Sequence, residues 1–327
     1  MNTQVLSLGK QRGLSQCAND QFVFNILALD HRQAVKKVFV DQPDPYAQAV
    51  AFKRAVVKTL GPAATAMLLD PSIGAGPCLA DASMPGGRGL VVTVEASGYA
   101  GPGHARVSRL PEDWSCGQIK RLGASAVKLL VYYHSRAETA PAMQDLVAQV
   151  AEECGRLDIP LFLEVLTYSP DPQGARLSPQ ERIQAVVQAA ADLTPLGGDV
   201  LKSEFPVDVK SQPDPGQWAD ACQALSQASQ IPWVLLSAGV DYPVFAQQTL
   251  VACQAGASGI LAGRAIWKEA LGVPADERDR FLQTTGRERL QELQSICNQY
   301  ARPYTDFFRP QDLAEDWYAA YPGVQAA

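Results

Sequence analysis

Eight short apolar runs, rich in β-branched residues and bounded by turn residues, recur along most of the chain and restrict its fold more than any other feature. They are Phe24 to Asp30, Ala64 to Asp70, Gly89 to Glu95, Ser125 to Tyr133, Pro160 to Tyr168, Asp199 to Pro206, Pro232 to Gly239 and Ala257 to Arg264. Helical patterns lie between most of them, at Tyr46 to Leu60, Pro141 to Leu157, Pro179 to Leu193, Gln217 to Gln230 and Val244 to Ala255. Runs without polar alternation read as strands buried on both faces, and helical crossovers make such strands parallel. Eight strand–helix units predict a closed (β/α)8 TIM barrel, an α/β fold formed as one domain over residues 24–274. Residues 1–23 are then an N-terminal extension, and 275–327 a C-terminal helical extension with a helix over Ala275 to Gln299 and a tail. That tail, from Arg302, carries several aromatics and no clear period. The least regular unit is Pro71 to Arg88, where Gly and Pro leave room for only a short helix.

Of the 327 residues, 47% are hydrophobic and 19% charged, against about 25% charged in an average soluble protein. Most of the chain can therefore bury a core. Lys and Arg number 28 and Asp and Glu 34, a net charge of -6, the opposite of a nucleic-acid footprint. An anionic ligand must be met by a local cluster. The longest apolar runs, such as Ala126 to Tyr133 with Lys128 inside it, fall short of the roughly 18 residues a membrane span needs. Met1 to Gly13 has no apolar stretch followed by a cleavage site, and the seven cysteines include no C-x-x-C pair. A soluble, cytoplasmic protein with reduced thiols is expected.

In a barrel of this kind the active site lies at the C-terminal ends of the strands. Polar residues inside or just after the apolar runs are therefore the first candidates: Asp30 in run one, Lys128 in run four, Glu164 in run five and Lys202 in run six. Desolvation lowers the pKa of an unpaired buried ammonium, and a second cation nearby lowers it further, a route to a Schiff-base lysine. Alternation lets Lys128 and Lys202 both point into the barrel, and places Glu204 on the face of Lys202. Runs four and six are alternate strands, which supply the same interior layer. Glu164 between two lysines can relay the protons that Schiff-base chemistry requires. Either lysine alone could equally be a buried ion-pair partner of Glu164, Glu204 or Asp30, and for Glu204 an ion pair is the expected role.

Ser237 and Gly239 follow run seven, and Gly263 and Arg264 follow run eight, the two loops with which phosphate-binding barrels hold a phosphate. The competing reading makes the glycines turn residues and Arg264 a surface cation. His31 and Arg32, after run one, could meet a second anion. The three histidines, His31, His104 and His134, lie in separate segments without the paired spacing of a metal site, so a metal-free mechanism is expected. The glycines of Pro85 to Gly89 precede a strand instead of following one and are read as a loop, not a dinucleotide fingerprint.

These residues resemble a known group. ALDHRQAVKKV at Ala28 to Val38, LLDPSIG at Leu68 to Gly74, SRLP at Ser108 to Pro111, GASAVKLLVYY at Gly123 to Tyr133, IPLFLEVLTY at Ile159 to Tyr168, DVLKSEFPV at Asp199 to Val207, LSAGVD at Leu236 to Asp241 and GASGILAGRAIW at Gly256 to Trp267 are similar to tagatose 1,6-bisphosphate aldolases. The wider group is the class I aldolases, with deoxyribose-phosphate and sulfofructose-phosphate members. The resemblance implies Lys202 as the Schiff-base lysine and Lys128, Glu164 and Asp30 as the other catalytic positions. It further implies Ser237, Gly239, Gly263 and Arg264 around a 1-phosphate, and no cofactor. The chain departs from tagatose-type members at His31, where Gln is expected, at Ser203, where an apolar residue is usual, and in a shorter segment after Val207. GASGILAGRAIW followed by LGVPADE also resembles sulfofructose-phosphate aldolases, so phosphate against sulfonate at C6 stays open, as does C4 stereochemistry.

The expected ligand is a small sugar phosphate, with no nucleic-acid or membrane partner; a homo-oligomer stays open. The rival from another class is a regulatory protein that keeps the barrel and pocket to bind a sugar phosphate without turning it over. Against it, a binder needs no buried nucleophile.

Overall fold

The structure is a computed structural model that describes residues 4–319 and 321. Eight parallel strands close into a barrel in sequential order: β1 (Phe24–Leu29), β2 (Ala66–Leu69), β3 (Gly89–Thr93), β4 (Ala126–Tyr133), β5 (Leu161–Thr167), β6 (Val200–Ser203), β7 (Trp233–Leu235) and β8 (Gly259–Ala262). Each lies inside its predicted run, and β8 closes on β1 through the pairs Phe24–Gly259 and Leu27–Ala262. The predicted (β/α)8 TIM barrel is the observed fold. Its strands are shorter than the apolar runs because the polar residues that end the runs turn into the loops above the barrel.

Period-two alternation sorts the buried residues into two cores. Phe24, Ile26 and Ala28 of β1, Ala66 and Leu68 of β2, Val91, Ala126, Phe162, Val200, Val234 and Leu261 fill the barrel interior. The intervening residues, such as Leu27, Leu29, Met67, Leu129, Leu163 and Leu201, pack outward against the helices. Those helices span Pro45–Leu60, Ala140–Arg156, Pro179–Leu193, Pro215–Ala228 and Tyr242–Gln254. The irregular unit forms a π-helical turn, Pro71–Ala75, and the short helix Gly76–Ala80.

The predicted C-terminal helix runs as Ala275–Phe281 and Arg287–Tyr300, separated by a π-helical turn at Leu282–Gly286. Helix Leu8–Cys17 closes the barrel's N-terminal mouth: Leu14 and Cys17 join the interior core, and Lys10 Nζ lies 2.9 Å from Asp199 Oδ2. Part of the unassigned tail joins it there. Tyr304 stacks on Phe24 at 5.3 Å between ring centroids, and Phe308–Arg309 pair in parallel with Gln4–Val5. The seven cysteines are buried free thiols. No helix among the described residues is long and apolar enough to cross a membrane.

Candidate active site

The alternation that fills the barrel continues one step upward on β1, β4, β5 and β6, where the interior position becomes polar, and on β8, where it is glycine. Asp30 follows Ala28, Lys128 follows Ala126, Glu164 follows Phe162, Lys202 follows Val200 and Gly263 follows Leu261, all facing a cavity of about 330 Å3 at the C-terminal end of the barrel. Glu164 and Lys202 are direct Cα partners across β5 and β6, so their side chains share the inner face. Leu130, two residues beyond Lys128, is the partner of Glu164, which sets Lys128 on the same face one pleat lower.

Glu164 Oε2 lies 2.7 Å from Lys128 Nζ and accepts a hydrogen bond from Lys202 Nζ at 2.8 Å. Lys128 Nζ also donates to Asp30 Oδ2 at 2.9 Å and to Glu95 Oε1 at 2.8 Å. Burial works against the Lys128 charge, yet Asp30, Glu164 and Glu95 outweigh it and hold the ammonium well above its ordinary pKa. Of the two readings of Lys128, a second cation beside Lys202 or a buried ion-pair partner, the geometry joins both: three carboxylates hold it as a fixed cation. Burial would raise the Asp30 and Glu164 carboxyls, but Lys128 and Lys202 hold both below the usual range. Glu95 goes the other way, because burial exceeds the pull of Lys128.

Glu95 was not singled out in the sequence, although run three ends on it as run one ends on Asp30. Its Oε2 also accepts from Leu130 N at 3.2 Å, and its carbonyl takes Arg32 Nη2 at 2.6 Å. Glu204 differs from the expectation only in its partner. Strand β6 ends at Ser203, and the Glu204 carboxylate turns away from Lys202 to accept from Thr167 N and Oγ1, both at 2.8 Å, with Arg182 Nη2 at 3.4 Å. An ion pair is its role, with an arginine instead of a lysine.

At the opposite wall, Ser237, Gly263 and Arg264 line the cavity. Gly263 N donates to Ser237 Oγ at 3.4 Å, and Arg264 Nε is buried without a hydrogen-bond partner. Gly239 lies behind Arg264 with φ +81°, where an added Cβ would come within 3.0 Å of the guanidinium carbon. Next to it Ala238 holds φ +46°, a left-handed conformation that costs a residue with a Cβ energy and sits beside the cavity. Glycine at 263 is required too, since a Cβ there would meet the Ala28 carbonyl at 2.5 Å and His31 Cε1 at 3.0 Å. These loops leave a charged donor facing a space that suits an anion.

His31 packs edge-on against Trp267 at 5.3 Å between ring centroids. Its Nδ1 is buried without a hydrogen-bond partner, 3.7 Å from Asp30 Oδ1. Burial pulls its pKa down to about 4, against Asp30 and with Arg264, so the ring is neutral at pH 7. Arg32 lines the same cavity. A wider cavity of about 860 Å3 lies alongside, sharing Leu236 and Ala238. At their junction Arg106 stands 4.7, 5.5 and 4.9 Å from the ring centroids of Tyr99, Tyr132 and Tyr168. The three-residue groupings of His, Cys, Asp or Glu that a metal ion needs do not occur among the described residues.

Residues 24–269 match the DeoC/LacD family of aldolases. The tagatose 1,6-diphosphate aldolase of Lactococcus lactis subsp. lactis is 31% identical over 92% of this chain and 99% of its own length. Tagatose 1,6-diphosphate aldolase 1 of Enterococcus faecalis is 30% identical over 90% and 97%. Among solved structures, an archaeal fructose-1,6-bisphosphate aldolase, with its catalytic Lys bound to a carbinolamine intermediate, superposes with a TM-score of 0.57 at 20% identity over 88% of this chain and 98% of its own. Fructose-bisphosphate aldolase from Plasmodium falciparum gives 0.68 at 13% identity over 92% and 99%. At those identities the likeness is one of fold.

Proposed function

The chain belongs to the DeoC/LacD family of aldolases, and from that premise we propose that it is a Schiff-base aldolase that cleaves tagatose 1,6-bisphosphate to dihydroxyacetone phosphate and glyceraldehyde 3-phosphate. The observation that carries this reading is the pair of buried lysines on one oxygen of Glu164 at the C-terminal mouth of the barrel. A pocket made only to bind a sugar phosphate has no need of it.

In the mechanism, the Lys202 amine attacks C2 of the ketose to give a carbinolamine. Glu164 takes a proton from the Lys202 nitrogen and returns it to the carbinolamine hydroxyl, which leaves as water to give the iminium. As the C4 hydroxyl gives its proton to the Asp30 carboxylate, which later returns it to C3, the C3–C4 bond breaks, its electron pair passes to the iminium to form an enamine, and the aldehyde half leaves. Protonation of the enamine at C3 and attack of water at C2 then release dihydroxyacetone phosphate and the free amine. Lys128, held as a cation by three carboxylates, orients Glu164 and Asp30. Asp30 meets the C3 and C4 hydroxyls, Ser237, Gly263 and Arg264 meet the 1-phosphate, and Gly239 leaves the space Arg264 occupies. Arg32, on the Glu95 side of the cavity, faces the distal end of the sugar, while His31 stands between Asp30 and Gly263.

A second reading, with sulfofructose 1-phosphate as substrate and a sulfonate at C6, is favoured by one observation. Gly256 to Trp267, followed by LGVPADE, resembles sulfofructose-phosphate aldolases.

Borohydride reduction in the presence of dihydroxyacetone phosphate, followed by peptide mapping, tests the proposal. A single reduced adduct on Lys202, lost together with turnover in Lys202→Ala, is expected. No adduct in folded protein that binds the ligand would leave the regulatory binder; an adduct on Lys128 would exchange the two lysines.

A further inference from the structure

Outside the barrel wall, on helix Pro45–Leu60, Lys53 is fully buried and ion-paired to Asp70, which is fully buried as well. A buried ion pair contributes little net stability, because removing both charges from water offsets their attraction, and apolar residues of similar volume often do as well. What distinguishes this pair is its third partner. Lys53 Nζ donates to the Leu29 carbonyl at 2.6 Å, and that carbonyl belongs to the peptide that joins the last residue of β1 to Asp30.

Leu29 and Leu69 are the final partners of the β1–β2 ladder. Above them the ladder pairs no further residues, and Asp30 has no partner in it. Lys53 takes over there, bridging from the end of β1 to Asp70 at the end of β2. Asp70 is itself fixed: its Oδ1 accepts from Ser72 N at 2.9 Å, Ile73 N at 3.0 Å and Ser72 Oγ at 2.8 Å. Because a peptide unit is planar, holding the Leu29 carbonyl fixes the plane that carries Asp30 N and Cα, the point from which its side chain departs. From there Asp30 Oδ2 reaches to 2.9 Å from Lys128 Nζ.

We propose that Lys53, held by Asp70, is a positioning residue that aims Asp30 at the reacting end of the cavity. The inference rests on the aldolase reading above, in which Asp30 meets the C3 and C4 hydroxyls. Lys53 itself touches no substrate. Its influence is confined to the cleavage step, because Lys128 keeps Glu95 and Glu164 when Asp30 is displaced, and Lys202 keeps Glu164.

The test uses Lys53→Met/Asp70→Asn, in which both charges go but the Asn oxygen can still cap Ser72 and Ile73; Lys53→Met alone would leave a buried carboxylate unpaired. The reduced dihydroxyacetone phosphate adduct on Lys202 should form at the wild-type rate. Ketose cleavage should lose about tenfold to a hundredfold in kcat, the scale on which a misplaced reacting group is felt. KM should change much less. In an Asp30→Asn background the same double substitution should cost nothing further, because its effect passes through Asp30. Unchanged kcat in the double variant, or losses that multiply in the Asp30→Asn background, would overturn the proposal. Absence of the adduct in the wild-type protein would instead remove the aldolase reading.

Discussion

Lys128 and Lys202 converge on the same atom, Oε2 of Glu164, at 2.7 and 2.8 Å. The two amines differ in everything else around them. Lys128 is enclosed by two further carboxylates, Asp30 and Glu95, whereas Lys202 has Glu164 alone among the ion pairs of the described residues. In the proposed mechanism that asymmetry makes Lys128 the fixed cation and Lys202 the lysine that reacts, although both sit in apolar strands.

Removing the fixed cation should be costly for stability. Lys128→Met leaves Asp30, Glu95 and Glu164 facing one another without their shared counter-ion. Breaking a buried ion pair from one side typically costs about 3–5 kcal/mol. Urea unfolding at pH 7 should show a loss of that size, and a change below about 1 kcal/mol would mean that the three carboxylates do not depend on Lys128.

The pH dependence of stability should carry the signature of His31. Its folded pKa is depressed to about 4 by burial, from an ordinary value of 6.5. Between those values the unfolded chain binds the proton and the folded one does not, so stability falls as pH drops through the window. The slope reaches about 1.4 kcal/mol per pH unit for one proton. Unfolding of wild-type protein and His31→Gln at several pH values from 4.5 to 7.5 isolates the contribution: the difference between the two curves should change with pH in that sense. Parallel curves would show that folded His31 takes up its proton normally.

Arg264→Ala should raise KM for the ketose about tenfold to a hundredfold with little change in kcat, as expected where a charged hydrogen bond worth about 1.5–3 kcal/mol is made equally in ground and transition states. Gly239→Ala should act in the same direction, since its Cβ would press on the Arg264 guanidinium and would have to adopt φ +81°. An unchanged KM in Arg264→Ala would place the 1-phosphate elsewhere.

For the distal end, condensation with dihydroxyacetone phosphate separates the acceptors. Arg32→Met should raise KM for glyceraldehyde 3-phosphate while leaving unphosphorylated glyceraldehyde unaffected. Sulfolactaldehyde in the same assay compares phosphate with sulfonate at C6 directly. If Arg32→Met discriminates between none of them, Arg106→Met is the variant expected to do so, because its guanidinium stands where the two cavities meet.

The barrel was legible because its cause is local and periodic. Each strand lies inside an apolar run, and Asp30, Lys128, Glu164 and Lys202 each stand two residues beyond an interior apolar one, whereas Asp70, two beyond Leu68, turns outward to Lys53. Asp30, Lys128, Glu164 and Lys202 are found by this parity alone. Glu95 shares the parity and was overlooked. Glu204 looked as if it obeyed the rule but did not, since β6 stops at Ser203 and the chain beyond it no longer alternates.

By itself, then, the sequence determined which strands form, which face of each is interior, and that lysines and carboxylates would crowd one end of the barrel. Only the tertiary structure decided how those charges are shared: three carboxylates on Lys128, Glu204 on Arg182, and Lys53 reaching around the end of a strand to a backbone carbonyl. The physical reason is range. Alternation and helical period are set by neighbours along the chain, whereas the state of a buried charge depends on distances of about 3 Å between groups far apart in it, 98 positions for Asp30 and Lys128.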